Sequence, residues 1–180
     1  MTGSLTSTIQ LDASQRRVVI IAARFNDSLV DQLIEGATQA WRDHGGEPSR
    51  LLLERVPGAF ELPLAAKMFA ASGGVDAVIA LGCVIRGDTP HFEYVAGECA
   101  RGLMDAGLAT GVPVIFGVLT TETLPQAQER ADVRRMNKGR ESMEAALEMI
   151  RLLAPPARTP RASRTAKRLA KRPKTRARKR

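Results

Sequence analysis

The chain is poor in the residues that build disulfide frameworks, metal centres and membrane anchors. It holds two cysteines, Cys83 and Cys99, and two histidines, His44 and His91. Both cysteines lie in apolar or helical surroundings without metal-ligand spacing, which argues against a disulfide scaffold and suits a reducing compartment. Aromatic residues make up only 4% of the chain, with one Trp, one Tyr and five Phe, so stacking on a planar ligand falls to very few positions. No apolar stretch approaches the roughly 20 residues that a membrane helix needs. The opening "MTGSLTSTIQLDASQ" has no basic cluster followed by an apolar core, so no secretory signal is expected. These absences predict a cytoplasmic protein with no membrane partner.

What is present is enough for one domain: 180 residues, 44% of them hydrophobic, with 15 glycines. The net charge of +8 is unevenly spread. Residues 158–180, "RTPRASRTAKRLAKRPKTRARKR", carry 12 Lys+Arg and no acid, so 1–157 keep 15 Lys+Arg against all 19 acids, a net −4. The basic run is low in apolar residues and broken by Pro160 and Pro173, and it cannot offset its ordering entropy by burial. It reads as a disordered basic tail. Such a tail can hold nucleic acid or another acidic partner through counterion release, or it can be a solvated extension that touches the acidic bodies of its own assembly. Residues 1–15 read as a flexible arm and 16–157 as the folded domain.

Within 16–157 strands and helices alternate. "RRVVIIAARF" (16–25) is a β-branched strand, and "NDS" after it offers N-cap chemistry for a helix. Leu29, Val30, Leu33, Ile34, Ala37, Ala40 and Trp41 recur at helical spacing until Gly45-Gly46. "SRLLLERV" (49–56) is a second strand, "PGAF" a turn, and "ELPLAAKMFAAS" a helix whose first turn accommodates Pro63. "DAVIALGCV" (76–84) is a third strand before a helix at 90–106, and "PVIFGVL" (113–119) a fourth before helices at 124–133 and 138–153. Apolar strands each followed by a helix predict an α/β fold, a three-layer α/β/α sandwich around a four-stranded parallel sheet.

Ligands bind such sheets at the carboxyl ends of the strands. That rule selects Arg24–Asn26, Pro57–Glu61, Cys83–His91 and Phe116–Thr121. In "RGDT", Thr89 reads as an N-cap and Pro90 as the first helical residue, so the helix dipole and free N–H groups favour an anion. Gly87 allows close backbone approach, and Asp88 would contribute its N–H with its carboxylate turned away. His91 stands one step inside the helix, where an imidazole can move protons near pH 7, although spacing alone favours an ordinary surface or helix-end histidine. Phe25 can stack on a heterocycle or cover the local core. Glu61 can serve a helix dipole or accept hydrogen bonds from sugar hydroxyls. Arg130 and Lys138 are candidate phosphate and carbonyl partners. Cys83, with no base placed beside it, reads as a small strand-end residue. His44 is a cation near a helix end.

Taken together, "RFN" (24–26), "VPGAFELP" (56–63), "ALGCVIRGDTPHFEYV" (80–95), "PVIFGVLTTET" (113–123), "QAQERA" (126–131) and "NKGRE" (137–141) resemble the 6,7-dimethyl-8-ribityllumazine synthase family, in the right order over about 16–153. The resemblance implies a flavodoxin-like fold and the penultimate step of riboflavin biosynthesis, a transferase reaction without metal or organic cofactor. In that reaction 5-amino-6-(D-ribitylamino)uracil and 3,4-dihydroxy-2-butanone 4-phosphate condense with loss of phosphate and water. By the same resemblance Phe25 stacks on the pyrimidine, and Ala59, Phe60 and Glu61 bind the ribityl-pyrimidine. Cys83, Val84 and Ile85 contact it largely through backbone, Asp88 and Thr89 receive the phosphate, and His91 transfers protons. Phe116 and Arg130 reach in from the adjacent subunit, and Lys138 lies nearby. The resemblance further implies homo-oligomers with sites at subunit interfaces: pentamers, sometimes paired into decamers or closed into shells of sixty. The chain departs from the family pattern after "ERA", where Asp132 replaces a common glycine.

Overall fold

The computed structural model of the protein describes residues 10–154. Most of the proposed N-terminal arm and the whole basic tail lie outside the described residues. Four strands, β1 (Val18–Ala23), β2 (Leu51–Val56), β3 (Ala77–Ile85) and β4 (Val114–Thr121), form one parallel sheet in the order β2-β1-β3-β4. Five helices connect and follow them: α1 (Asp27–Asp43), α2 (Leu62–Ala71), α3 (His91–Thr110), α4 (Leu124–Ala131) and α5 (Lys138–Leu153).

The period of two along β1 divides the core between two layers. Val18, Ile20 and Ala22 pack with Leu29, Leu33, Trp41, Met143 and Leu147 of α1 and α5, whereas Val19 and Ile21 pack with Leu62, Ala66, Cys99 and Leu103 of α2 and α3. Every residue of β1 is buried, as a central parallel strand requires. The expected three-layer α/β sandwich is therefore present, and each crossover places its helix on one of two apolar faces.

One expectation changes. β2 is not apolar-buried throughout: Leu52, Leu53 and Glu54 are exposed, because β2 is an edge strand and the helices on both sides of the sheet leave its two faces partly uncovered. Strand order decides this, and strand order is not written in periodicity. The α3 helix also runs four residues past the expected end, to Thr110, and stops where Gly111 takes a left-handed conformation at φ 70°.

α1 and α5 descend side by side. Gly139 in the first turn of α5 sits against the backbone of Leu33, so closely that a Cβ would lie 2.0 Å from the Leu33 carbonyl oxygen. Arg140 then pairs with Asp43 at 2.7 Å near the foot of α1. Asn137, left-handed at φ 46°, caps α5 by accepting from the Arg140 N–H at 3.0 Å, an arrangement that contributes about 1 kcal/mol. Because α5 runs antiparallel to β4, its last turn lies at the amino edge of the sheet. Asp132, at the departure from the family pattern, has an ordinary φ of −55° and accepts from the Arg134 N–H at 2.8 Å, so it builds the turn into α5 without needing glycine's freedom.

Candidate active site

The sheet order reverses between β1 and β3, and at their carboxyl ends lies a cavity of about 660 Å³. Nine of the residues singled out in the sequence line it: Phe25, Ala59, Phe60, Glu61, Cys83, Val84, Ile85, Thr89 and His91. The ladder extends beyond the strands to hold the walls. Arg24 N–H donates to Val56 at 2.9 Å and Phe25 N–H to Pro57 at 3.2 Å, which fixes the Phe25 ring, 71% exposed, beside the "PGAF" segment. Across the floor, the Asn26 side-chain amide donates to the Cys83 carbonyl at 2.9 Å.

Asn26 differs from its expected role. It precedes α1 in a left-handed conformation, φ 59°, and makes no capping bond, because its amide is committed to β3. The sequence signal was ambiguous, since the same residue type serves both purposes. Thr89 likewise does not cap α3. Pro90 occupies that position without a side-chain bond, so Thr89, which lines the cavity, is not committed to capping the helix.

The wall opposite Phe25 is the turn before α3. Gly87 has no left-handed φ, and a Cβ there would meet nothing within 4 Å, so the fold does not demand glycine. Its missing side chain instead leaves the backbone open along the cavity. The following helix is 20 residues long, and its unpaired N–H groups and dipole give this wall a positive end. Asp88 is exposed and does not line the cavity, in keeping with a side chain turned from an anion. Glu61 precedes α2 without capping it, and its carboxylate folds toward Gly58, where a Cβ would stand 3.2 Å from Oε2. Burial pushes the Cys83 thiol up to about 11, so at neutral pH it is a small uncharged strand-end group and no nucleophile.

Phe92, Tyr94 and Val95 also line this cavity and were not singled out. Val95 lies one helical turn beyond His91, a spacing that would have placed it on the same face.

Phe116, Arg130 and Lys138 are elsewhere. They line a second hollow of about 330 Å³ along β4 and α5, which shares no residue with the first. Phe116 pairs in register with Ala80 in mid-sheet, so it is not at the carboxyl end of its strand as the sequence suggests; its ring stands 43% exposed at the open edge. Arg130 donates to the Gln126 carbonyl at 3.0 Å, and Lys138 pairs with Glu141 at 2.5 Å. Among the described residues no group of three or more His, Cys, Asp or Glu side chains is arranged to hold a metal ion, and no helix is long and apolar enough to cross a membrane.

A parallel α/β sheet with a mostly apolar cavity at its switch point, a long helix starting at its wall and a histidine at that helix's start is the arrangement of an α/β enzyme site, suited to a small, partly planar, anionic molecule. The chain belongs to the 6,7-dimethyl-8-ribityllumazine synthase family, whose model matches residues 15–154. It is 54% identical over 143 residues to the 6,7-dimethyl-8-ribityllumazine synthases of two strains of Thermus thermophilus, covering 79% of this chain and 91% of theirs. The Halorhodospira halophila protein of the same name is also 54% identical, over 137 residues, covering 76% of this chain and 88% of that one.

Proposed function

We propose that the protein condenses 5-amino-6-(D-ribitylamino)uracil with 3,4-dihydroxy-2-butanone 4-phosphate to give 6,7-dimethyl-8-ribityllumazine, phosphate and water. The observation that carries this reading is the cavity in which Phe25, Glu61, Thr89 and His91 meet. Phe25 stacks on the pyrimidine, Ala59 and Phe60 hold it through their backbone, and the Glu61 carboxylate accepts from ribityl hydroxyls. Cys83, Val84 and Ile85 meet the same substrate along the strand end. The N–H groups of Gly87, Asp88 and Thr89, at the start of α3, take the phosphate.

The chemistry then follows from proximity and timed proton transfer. The pyrimidine amine attacks the ketone, an imine forms with loss of water, phosphate leaves, and ring closure expels a second water. His91, beside the phosphate-binding turn, supplies and removes protons on the carbon skeleton that loses phosphate. Phe116, Arg130 and Lys138 complete the site from an adjacent subunit: in one chain they face a different hollow, and the exposed edge of β4 is free to meet a neighbour. The assembly is a homo-oligomer built on pentamers, and two buried free cysteines suit the cytoplasm.

Absorbance in the lumazine band after mixing the protein with both substrates, corrected for the uncatalysed reaction, tests the activity; no turnover above background overturns it. His91→Ala is expected to lose about 10²-fold in kcat, the low end of the roughly 10²–10⁴ that acid–base help is typically worth, because positioning of the two substrates survives.

A second reading concerns 158–180, outside the described residues. Twelve Lys+Arg without an acid suit a nucleic acid or another acidic partner held by counterion release, and equally a solvated extension that touches the acidic bodies of its own assembly. Purified at low salt without nuclease, the full chain should show a higher A260/A280 ratio than protein ending at Pro156, and equal ratios would count against it.

A further inference from the structure

Arg86 sits between the end of β3 and the turn that precedes α3, and it lines neither cavity. Its N–H donates to the Thr121 carbonyl at 2.9 Å, which prolongs the β3–β4 ladder by one rung. The guanidinium is held on three sides. Nε donates to Glu122 Oε2 at 2.6 Å just past β4, a terminal nitrogen pairs with Glu93 in the first turn of α3, and Cζ lies 4.3 Å from the centre of the Phe92 ring. Glu122 is itself tied down, its N–H donating to Gln126 Oε1 at 2.9 Å. The bond from Arg86 holds the Glu93 carboxyl below the usual carboxylate range, so this pair is intact at neutral pH.

Exposed ion pairs contribute little to stability by themselves, and the side chains of Glu93 and Glu122 are 54% and 60% exposed. The geometry has a different consequence. Arg86 begins the segment that continues through Gly87, Asp88, Thr89, Pro90 and His91, and its guanidinium grips the far end of that segment at Phe92 and Glu93. The loop is closed on itself and pinned to the end of β4, while Arg86 itself does not line the cavity. Phe92, under the guanidinium, is a cavity wall.

We infer that Arg86 is a positioning residue: by clasping Glu93, Glu122 and Phe92 it fixes the anion-binding turn and the His91 ring against the cavity. The inference rests on the proposed reaction for its kinetic arm. Two carboxylates already neutralise the guanidinium, which leaves the phosphate to the backbone donors and makes Arg86 their scaffold. A turn loosened by a fraction of an ångström costs most at the ligand it holds in register.

The test compares wild type with Arg86→Gln, Arg86→Lys and Glu122→Gln for both KM values, kcat, thermal midpoint and hydrogen exchange across 86–93. Arg86→Gln should raise KM for the four-carbon phosphate and lower kcat, each by roughly tenfold, with the pyrimidine KM within about twofold. Arg86→Lys, which keeps the charge, and Glu122→Gln, which removes one arm and touches no substrate, should fall between. Faster exchange across 86–93 in Arg86→Gln should accompany the kinetic change. Active wild type with Arg86→Gln kinetically unchanged overturns the positioning role and leaves the proposed reaction standing. A defect in Arg86→Gln with Glu122→Gln wholly normal also overturns it, pointing to direct contact with phosphate. If wild type itself turns nothing over, the proposed reaction fails, and the exchange rates alone decide: acceleration supports the clasp, no acceleration overturns it.

Discussion

Arg130→Ala is expected to lower kcat/KM for 3,4-dihydroxy-2-butanone 4-phosphate by about 10²–10³-fold, because truncating one member of a desolvated charge pair costs roughly 2–5 kcal/mol. The loss should appear chiefly in KM for that substrate, with KM for the pyrimidine little changed. Half-buried on α4 and bonded only locally, to the Gln126 carbonyl, Arg130 holds no distant element in place, so the variant should keep its thermal midpoint and its assembly state. Steady-state titration of each substrate against saturating partner separates these quantities. An unchanged KM for the phosphate would refute the role. The effect should exceed that of His91→Ala, since a proton can find another carrier in water whereas a missing cation leaves phosphate charge unanswered.

Gly139→Ala should destabilise the subunit by about 3 kcal/mol or more, a magnitude reserved for overpacking against immovable atoms. The added Cβ would stand 2.0 Å from the Leu33 carbonyl oxygen, 2.7 Å from its carbon and 2.8 Å from its Cα. All three are backbone atoms inside α1, so no rotamer change relieves them; α5 must lift from α1 and unpack Met143 and Leu147 as it goes. Urea unfolding followed by circular dichroism reads the change as a lower midpoint, or as insoluble protein. A midpoint equal to wild type would mean that the two helices are not packed at this distance.

Gly139 also shows where sequence reading stops. Its place at the start of a helix is visible in the apolar spacing of 138–153, and that helix forms over the expected residues. Nothing local announces that the helix lies directly on another backbone. The same division runs through the whole molecule. Strand and helix identities are legible because periods of 2 and 3.6 are written residue by residue, and the parallel arrangement follows from their alternation. Strand order is not, so the apolar run of β2 suggests burial where an edge strand is open on both faces. At the site, motif order brings Phe25, Glu61, Thr89 and His91 together as candidates, and the fold brings them to one cavity. Phe116 is legible as an aromatic near a strand end, yet its ring projects from mid-edge, because register depends on β3 and not on β4 alone. The double duties of Asn26 and Thr89 are hidden for a simpler reason: Asn and Thr at helix starts look the same whether they cap or face a ligand.

The cavity opens at the carboxyl edge of the sheet, whereas α5 leads the chain toward the amino edge. Sequence beyond residue 154 therefore begins, within one subunit, toward the opposite edge of the sheet from this cavity. A binding trait attached there would leave the cavity walls of its own subunit unchanged, so charge at the end of the chain and chemistry at the site can be altered one at a time.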